Sequence, residues 1–198
     1  MAKLYFRYGA MNSGKTTILL QVAHNYEERG MKVMIIKPKV DSKGEDHIVS
    51  RIGLTRKVDC LVDTEMNLFK YFKDKDINCI LVDEAQFLTR DQVDQLMQVV
   101  VRYNIPVICY GLRTDFQTVG FPGSTRLLEI AHTIEELKTI CSCGKKAMLN
   151  ARKVDGKFVF TGEQVAIDGK DDVTYEALCP NCYYDKLETY LKLRKKIK

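Results

Sequence analysis

The sequence predicts an α/β protein in which a parallel sheet flanked by helices is followed by a smaller unit clamped by cysteines. Three observations carry this. Gly9-Ala-Met-Asn-Ser-Gly-Lys-Thr16 fits G-x-x-x-x-G-K-[ST] and sits between a strand-like and a helix-like stretch. Apolar strand-like segments then alternate with amphipathic helical ones, the pattern of a parallel sheet with right-handed crossovers. From about Cys141 the texture changes to short β-like pieces bracketed by paired cysteines.

Lys3-Leu-Tyr-Phe-Arg-Tyr8 is short and aromatic-rich, a strand. In the loop that follows, glycines let the backbone curl so that successive N–H groups face phosphate oxygens. Lys15 reaches the β- and γ-phosphates of a nucleotide, and the Thr16 hydroxyl can ligate Mg²⁺. Thr17 to Arg29 reads as a helix with Ile18, Leu19, Val22, Ala23 and Tyr26 on one stripe, stopped by Gly30. A strand, a loop and a helix N-terminus in that order make an anion site. Lys32 to Pro38 is a second buried strand. Residues 39–47 are polar and turn-rich and read as a mobile loop. Val58 to Val62 is a short strand, and Thr64 to Lys73 has helical spacing through Met66, Leu68, Phe69 and Phe72.

Cys79 to Val82 is an apolar strand that runs into Asp83-Glu84. Gln92 to Tyr103 is a helix burying Val93, Leu96, Met97, Val99 and Val100. Pro106 to Gly111 is another apolar strand, and Leu127 to Leu137 is an amphipathic segment with Thr133-Ile134 as its weak point. Residues 1–138 form the expected first domain and 139–198 the second. In the second, β-like pieces Ala147 to Ala151 and Lys157 to Phe160 lie between turns at Asp155-Gly156 and Asp168-Gly169. There is no internal repeat and no low-complexity segment.

Composition narrows the class. The 198 residues are 45% hydrophobic and 29% charged, enough for a real core. No apolar run approaches the roughly 18 residues of a membrane span, and a strand at the very start leaves no room for a signal peptide. The expectation is a cytoplasmic protein without a membrane partner. Net charge is 31 − 26 = +5, and much of it lies in Lys192-Leu-Arg-Lys-Lys-Ile-Lys198, which reads as a solvated end rather than a nucleic-acid surface. Seven cysteines in a non-secreted chain point to thiols or metal.

Asp83-Glu84 has the pattern of an Mg²⁺-side acid at a strand end. Successive residues leaving a strand point apart, so Asp83 can face the metal while Glu84 faces a nucleophile. The nucleophile itself stays open: glutamate can activate water, giving an ATPase, or take a proton from a substrate hydroxyl, giving a kinase. Cys141-Ser-Cys143 and Cys179-Pro-Asn-Cys182 place four sulfurs for one tetrahedral Zn²⁺ bonded near 2.3 Å. Four thiolates leave no open position, so this zinc is structural. Gly144 frees backbone N–H groups to turn toward sulfur. Cys79 and Cys109 lie in apolar strands as core residues, while Cys60 carries no signal. His24, His47 and His132 share no spacing and are not ligands. Phe87, Phe116, Phe121 and Tyr175 fall in loops or near turns and can gather as an apolar slot for a flat ring.

The ordered set G-A-M-N-S-G-K-T, D-E-A-Q-F at Asp83 to Phe87, G-L-R-T-D-F at Gly111 to Phe116, G-F-P-G-S at Gly120 to Ser124 and the paired cysteines resembles the thymidine kinases of the human cytosolic type, from about residue 3 to 184. The resemblance implies a RecA-like P-loop domain joined to a zinc-bearing lasso domain, and transfer of the ATP γ-phosphoryl to the 5′-hydroxyl of thymidine. It implies Glu84 as general base. Gly9, Ala10, Met11, Asn12, Ser13, Gly14, Lys15 and Thr16, with Asp83 and Gln86, would hold ATP and its Mg²⁺, the ion falling to Thr16 and Asp83. Met11, Phe87, Leu112, Phe116, Phe121 and Tyr175 would surround the nucleoside, and Gln164, Val165, Ala166, Ile167 and Gly169 of the lasso would read the base, largely through main-chain groups. A homotetramer and feedback inhibition by thymidine triphosphate are also implied.

The chain departs from that pattern in two places. Many relatives carry Asp-x-Arg where this chain has Asp41-Ser-Lys43. A lysine lacks the fork of an arginine, so Lys43 and Arg51 are both candidates for the cation at the transferring phosphoryl. The lasso has Asp168 where glycine is common, and Lys170 to Thr174 is slightly lengthened. Two other readings fit parts of the sequence: a kinase of another deoxynucleoside, and a RecA-like ATPase stimulated by nucleic acid.

Overall fold

The first strand, β1 (Leu4–Tyr8), runs into the glycine-rich loop and then into α1 (Lys15–Glu27). The structure, a computed structural model, describes residues 1–39, 46–164 and 172–196. The expected roles of Lys43, Val165, Ala166, Ile167, Asp168 and Gly169 therefore lie outside the described residues. After α1 come β2 (Val33–Pro38), a hairpin of β3 (His47–Val49) and β4 (Thr55–Lys57), β5 (Cys60–Val62), the single turn α2 (Leu68–Tyr71), β6 (Cys79–Val82) and a 3₁₀ turn (Ala85–Phe87). Next are α3 (Arg90–Tyr103), β7 (Val107–Gly111), α4 (Pro122–Ile130) and β8 (Thr133–Glu136). The remainder is β9 (Thr139–Ile140), β10 (Lys146–Ala147), β11 (Leu149–Val154), β12 (Lys157–Val159), β13 (Val173–Leu178) and α5 (Pro180–Lys196).

Six strands form one sheet in the order β5-β2-β6-β7-β1-β8, and every neighbouring pair is parallel. The α/β class with a central parallel sheet is thus as expected. Strand alternation sorts the side chains onto two cores. Leu4, Phe6, Ile80 and Val82 face one way and pack with Leu96, Val99 and Val100 of α3. Ile35, Leu81 and Tyr110 face the other way under Leu19 and Ala23 of α1. Helix α3 starts two residues before the expected Gln92, because Thr89 caps it. The Thr89 hydroxyl accepts from the Gln92 amide, and the Gln92 side chain accepts from the Thr89 amide.

In the sheet-bearing part, three segments differ from what the sequence predicts. Thr64 to Lys73 is not a long helix: Asn67 caps a turn at Leu68–Tyr71 by accepting from the Lys70 amide. Leu127 to Leu137 is not one segment. Its first half belongs to α4, which begins earlier, at Pro122. The chain turns extended at Ala131, and Thr133–Glu136 pairs with β1 as an edge strand, Tyr5 opposite Thr133. The β-branched pair Thr133-Ile134 favours the strand once an open sheet edge is there to receive it. The loop expected over residues 39–47 ends in strand at His47, and the β3–β4 hairpin beyond it has no strong sequence pattern.

The cysteine-bearing part contains the antiparallel β9–β10 pair, a three-stranded antiparallel sheet in the order β12-β11-β13, and α5. Ala147 to Ala151, expected as one piece, divides between β10 and β11. The core here joins Ala147, Ala151, Phe160, Leu178 and Tyr183 with Ala10, which comes from the glycine-rich loop itself. Among the described residues, no helix is long and apolar enough to cross a membrane.

The first turn of α4 lies directly on the 3₁₀ turn. A Cβ at Gly123 would sit 2.5 Å from the Ala85 carbonyl oxygen and 2.7 Å from that of Leu88. Backbone cannot yield as a side chain does, so Gly123→Ala should destabilise the chain by about 1–3 kcal/mol, read as a lower urea midpoint at unchanged m-value.

Candidate active site

Three strands of the parallel sheet deliver their carboxyl ends to one place. From β1, the Gly9 amide donates to the Gly111 carbonyl at the end of β7 (3.3 Å). A Cβ on Gly9 would lie 2.4 Å from Ser13 Oγ and 2.5 Å from the Leu137 carbonyl oxygen, so only glycine fits. Asn12 (φ 67°) and Gly14 (φ 76°) are left-handed, and the Ser13 amide returns to the Ala10 carbonyl (3.3 Å). The loop therefore curls as its motif requires, and Gly14 caps α1. Lys15 folds back over it: Nζ donates to the Ala10 carbonyl (3.0 Å) and lies 3.5 Å from that of Gly9. Thr16 follows in the first turn of α1, half-buried.

From β6 come the two carboxylates. Asp83 extends the strand, its amide donating to the Ile36 carbonyl (3.0 Å). Glu84 turns the chain with φ 50° and ψ 38°, a left-handed conformation that costs a non-glycine residue about 1–2 kcal/mol. Gln86 holds that turn. It is fully buried; its Nε2 donates to Glu84 Oε2 and its Oε1 accepts from the Leu112 amide (3.1 Å). Both polar ends of Gln86 are thus occupied within the protein. Leu112 is fixed from its other side, where its carbonyl accepts from buried Ser124.

The charges interact. Burial lowers the Lys15 ammonium below its ordinary value, while Glu84 and Asp83 pull it back up and Arg51 lowers it further. The charge of exposed Arg51, at the tip of the β3–β4 hairpin, is therefore felt at Lys15. Asp83 is pushed up to about 7, first by burial and then by the charge of Glu84, against the pull of Lys37 and Lys15. A buried carboxylate held up in this way is short of cationic partners, and with the Thr16 hydroxyl it is a donor set that suits a hard divalent cation.

The aromatic set gathers in two contacts. Phe87 and Phe121 meet edge to face at 5.4 Å. Phe116 and Tyr175 are joined by Arg152, whose guanidinium carbon lies 3.7 Å from the Phe116 ring centroid and whose Nε donates to the Tyr175 hydroxyl (3.0 Å). Leu112, Met11 and Gln164 are half-buried, and the Gln164 carbonyl accepts from Arg152. The Phe116 carbonyl accepts from the buried Tyr183 hydroxyl of α5 (2.6 Å). The Met11 amide donates to Asn150 Oδ1 of β11 (2.8 Å). Asn150 and Arg152, at most 5% exposed, carry no sequence signal: both are polar residues in a short β-like stretch with no motif around them. The open depression beside Lys138, Thr139, Ile140 and Lys146 contains none of these residues.

Cys141, Cys143, Cys179 and Cys182 converge, their sulfurs all within 4.8 Å of one another. A tetrahedral zinc with Zn–S near 2.3 Å needs sulfurs roughly 3.8 Å apart, so the cluster could hold one with little movement. Gly144 is left-handed beside it (φ 83°). Burial would raise the Cys141 thiol, but the amides of Cys143 and Cys179 and the thiols of Cys143 and Cys182 donate to it and bring it to about 6. Donation to Cys143, Cys179 and Cys141 holds the Cys182 proton, up to about 12. Cys79 and Cys109 are fully buried, as expected. His24, His47 and His132 are exposed, and His132 accepts from the Leu4 amide.

Comparison with known proteins agrees with this architecture. The profile of the family described as "Thymidine kinase" matches residues 2–183. A thymidine kinase of enterobacteria phage T4 is 48% identical over 185 residues, covering 90% of this chain and 94% of that protein. One of Coxiella burnetii is 49% identical over 186 residues, with coverages of 90% and 93%. One of Lactobacillus acidophilus is 45% identical over 196 residues, with coverages of 93% and 97%.

Two outcomes follow from the electrostatics. A carboxyl with a raised folded-state pKa contributes stability below the ordinary carboxylate range and loses it as pH rises through about 7. Asp83→Asn should therefore stabilise the protein without Mg²⁺ or nucleotide by roughly 2–4 kcal/mol at pH 8, with the advantage shrinking toward pH 5 in paired denaturation curves. Metal analysis should find one zinc per chain. Cys182→Ser should lose it and lower the unfolding midpoint by roughly 10 °C, as about 3–5 kcal/mol does at this chain length.

Proposed function

Because this chain belongs to the thymidine kinase family, an ATP-dependent phosphotransferase, we propose that it transfers the γ-phosphoryl of ATP to the 5′-hydroxyl of thymidine, giving thymidine monophosphate and ADP. The observation that carries the reading is Glu84: a carboxylate in a strained turn, oriented by a buried Gln86, at the strand end beside the glycine-rich loop. Strain kept at one residue and over-determined by its surroundings is characteristic of functional sites.

Each residue has a part. Loop amides from Gly9 to Thr16, with Lys15, bind and neutralise the triphosphate. Lys15 lies on loop carbonyls in the free protein and exchanges them for phosphate oxygens. Asp83 and Thr16 would hold Mg²⁺, which supplies charge neutralisation at the β- and γ-phosphates when bound. Glu84 accepts the 5′-hydroxyl proton as that oxygen bonds to the γ-phosphorus and the bond to the β,γ-bridging oxygen breaks. Gln86, expected at the nucleotide, also holds Glu84 against the end of β7. Arg51, whose charge lowers the Lys15 ammonium, and Lys43 are the two candidates for the cation at the transferring phosphoryl.

Phe87, Phe121, Phe116, Tyr175, Leu112 and Met11 provide the apolar surface for the thymine and sugar, and Gln164 to Gly169 the main-chain groups that read the base. Residues 1–138 then constitute the ATP-binding domain and 139–198 the zinc and lasso domain. Mg²⁺ dependence, from the Thr16 and Asp83 donor set, and a cytoplasmic location complete the reading; a homotetramer and feedback inhibition by thymidine triphosphate rest on the resemblance alone.

In Glu84→Gln the side-chain oxygen can still accept from Gln86, so binding of ATP and thymidine should persist while kcat falls about 10²–10⁴-fold. Near-normal turnover would remove Glu84 as base. A nucleoside panel incubated with labelled ATP and Mg²⁺ should label thymidine foremost. Hydrolysis of ATP stimulated by DNA, with no nucleoside labelled, would replace the kinase reading.

A further inference from the structure

Arg152 is a guanidinium at 5% exposure in the central strand of the three-stranded sheet. Burying such a group is costly unless its donors are matched, and here three are. Nε donates to the Tyr175 hydroxyl (3.0 Å), Nη1 to the Glu163 carbonyl (2.9 Å) and Nη2 to the Gln164 carbonyl (3.0 Å). Its flat face covers the Phe116 ring at 3.7 Å. Strand register places Arg152 opposite Tyr175, so the hydroxyl contact is cross-strand. Gly162, at φ 126°, takes a conformation reserved to glycine and leads the chain into the Glu163 carbonyl; its own carbonyl accepts from Gln117 (2.6 Å).

One planar cation thus ties together groups from three places in the sequence: the loop after β7, the segment leaving β12, and β13. We propose that Arg152 is a positioning residue for nucleoside binding, fixing the Phe116 ring and the Tyr175 hydroxyl at one spacing. This rests on the kinase reading above, since Phe116 and Tyr175 are the residues assigned there to the nucleoside. The fork geometry is what matters: lysine offers one point of charge and cannot address two carbonyls and a phenol in a plane while stacking on a ring. Arg152 touches none of the phosphate-side groups, so its effect should separate thymidine from ATP.

The test compares wild type, Arg152→Lys, Arg152→Met and Tyr175→Phe in steady-state phosphorylation of thymidine, with thymidine and ATP each varied and thermal midpoints recorded. KM for thymidine should rise about tenfold or more in both Arg152 variants, with lysine no better than a partial rescue, and by a smaller factor in Tyr175→Phe, which keeps the ring but loses the acceptor. KM for ATP should stay within about twofold and kcat should change far less than KM for thymidine. Tyr175→Phe removes one oxygen, so it keeps the test open if an Arg152 variant does not fold. Unchanged KM for thymidine in the soluble variants, full rescue by lysine, or parallel loss toward both substrates would overturn the proposal. A wild-type protein that phosphorylates no thymidine would overturn the kinase reading first, and the proposal with it.

Discussion

A parallel sheet sends every strand's carboxyl end to the same edge, and that constraint organises this molecule. Each crossover must return along the sheet before the next strand begins, so segments far apart in sequence emerge side by side. Gly9 after β1, Asp83-Glu84 after β6 and Gly111-Leu112 after β7 become neighbours for this reason. Helix α1 adds its N-terminus to the same edge, and with it the backbone donors that favour an anion. Burial at this edge raises the Asp83 carboxyl and lowers the Lys15 ammonium, and the attraction between the two opposes both shifts.

The second constraint is the joint between the sheet and the cysteine-bearing unit. Buried polar side chains tie the two across it. Asn150 accepts from the Met11 amide of the glycine-rich loop, and the Tyr183 hydroxyl donates to the Phe116 carbonyl. Ala10 of the loop is buried in the core that surrounds Cys141 and Cys179. Such contacts are directional, and leaving a buried partner unmatched costs about 1–3 kcal/mol. Among the described residues no buried side-chain polar atom lacks a partner.

Much of this was legible in the chain. Buried strands β2, β6 and β7 read as apolar runs because both faces of a parallel sheet are covered. The glycine-rich loop, the acidic pair and the cysteine spacing were legible because backbone freedom, charge and thiol chemistry belong to the residue itself. Elements decided by partners were not legible. Thr133–Glu136 looks like a continuation of α4 until the open edge of β1 is present to pair with it. The β3–β4 hairpin pairs short, mostly exposed strands that carry little apolar alternation.

The site divides the same way. Sequence by itself determined which chemistry was available: phosphate-binding amides and lysine at residues 9–16, two carboxylates at 83 and 84, four thiols, and a scattered aromatic set. It also determined the family, because the order of those motifs is a property of the chain. Only the tertiary structure decided that Gln86 is committed to Glu84 and Leu112, that Arg152 joins Phe116 to Tyr175, and that Asn150 supports Met11. The physical reason is that a glutamine, an arginine or an asparagine has no fixed role of its own. Each acquires one only from the donors, acceptors and rings that folding brings within about 3–4 Å of it.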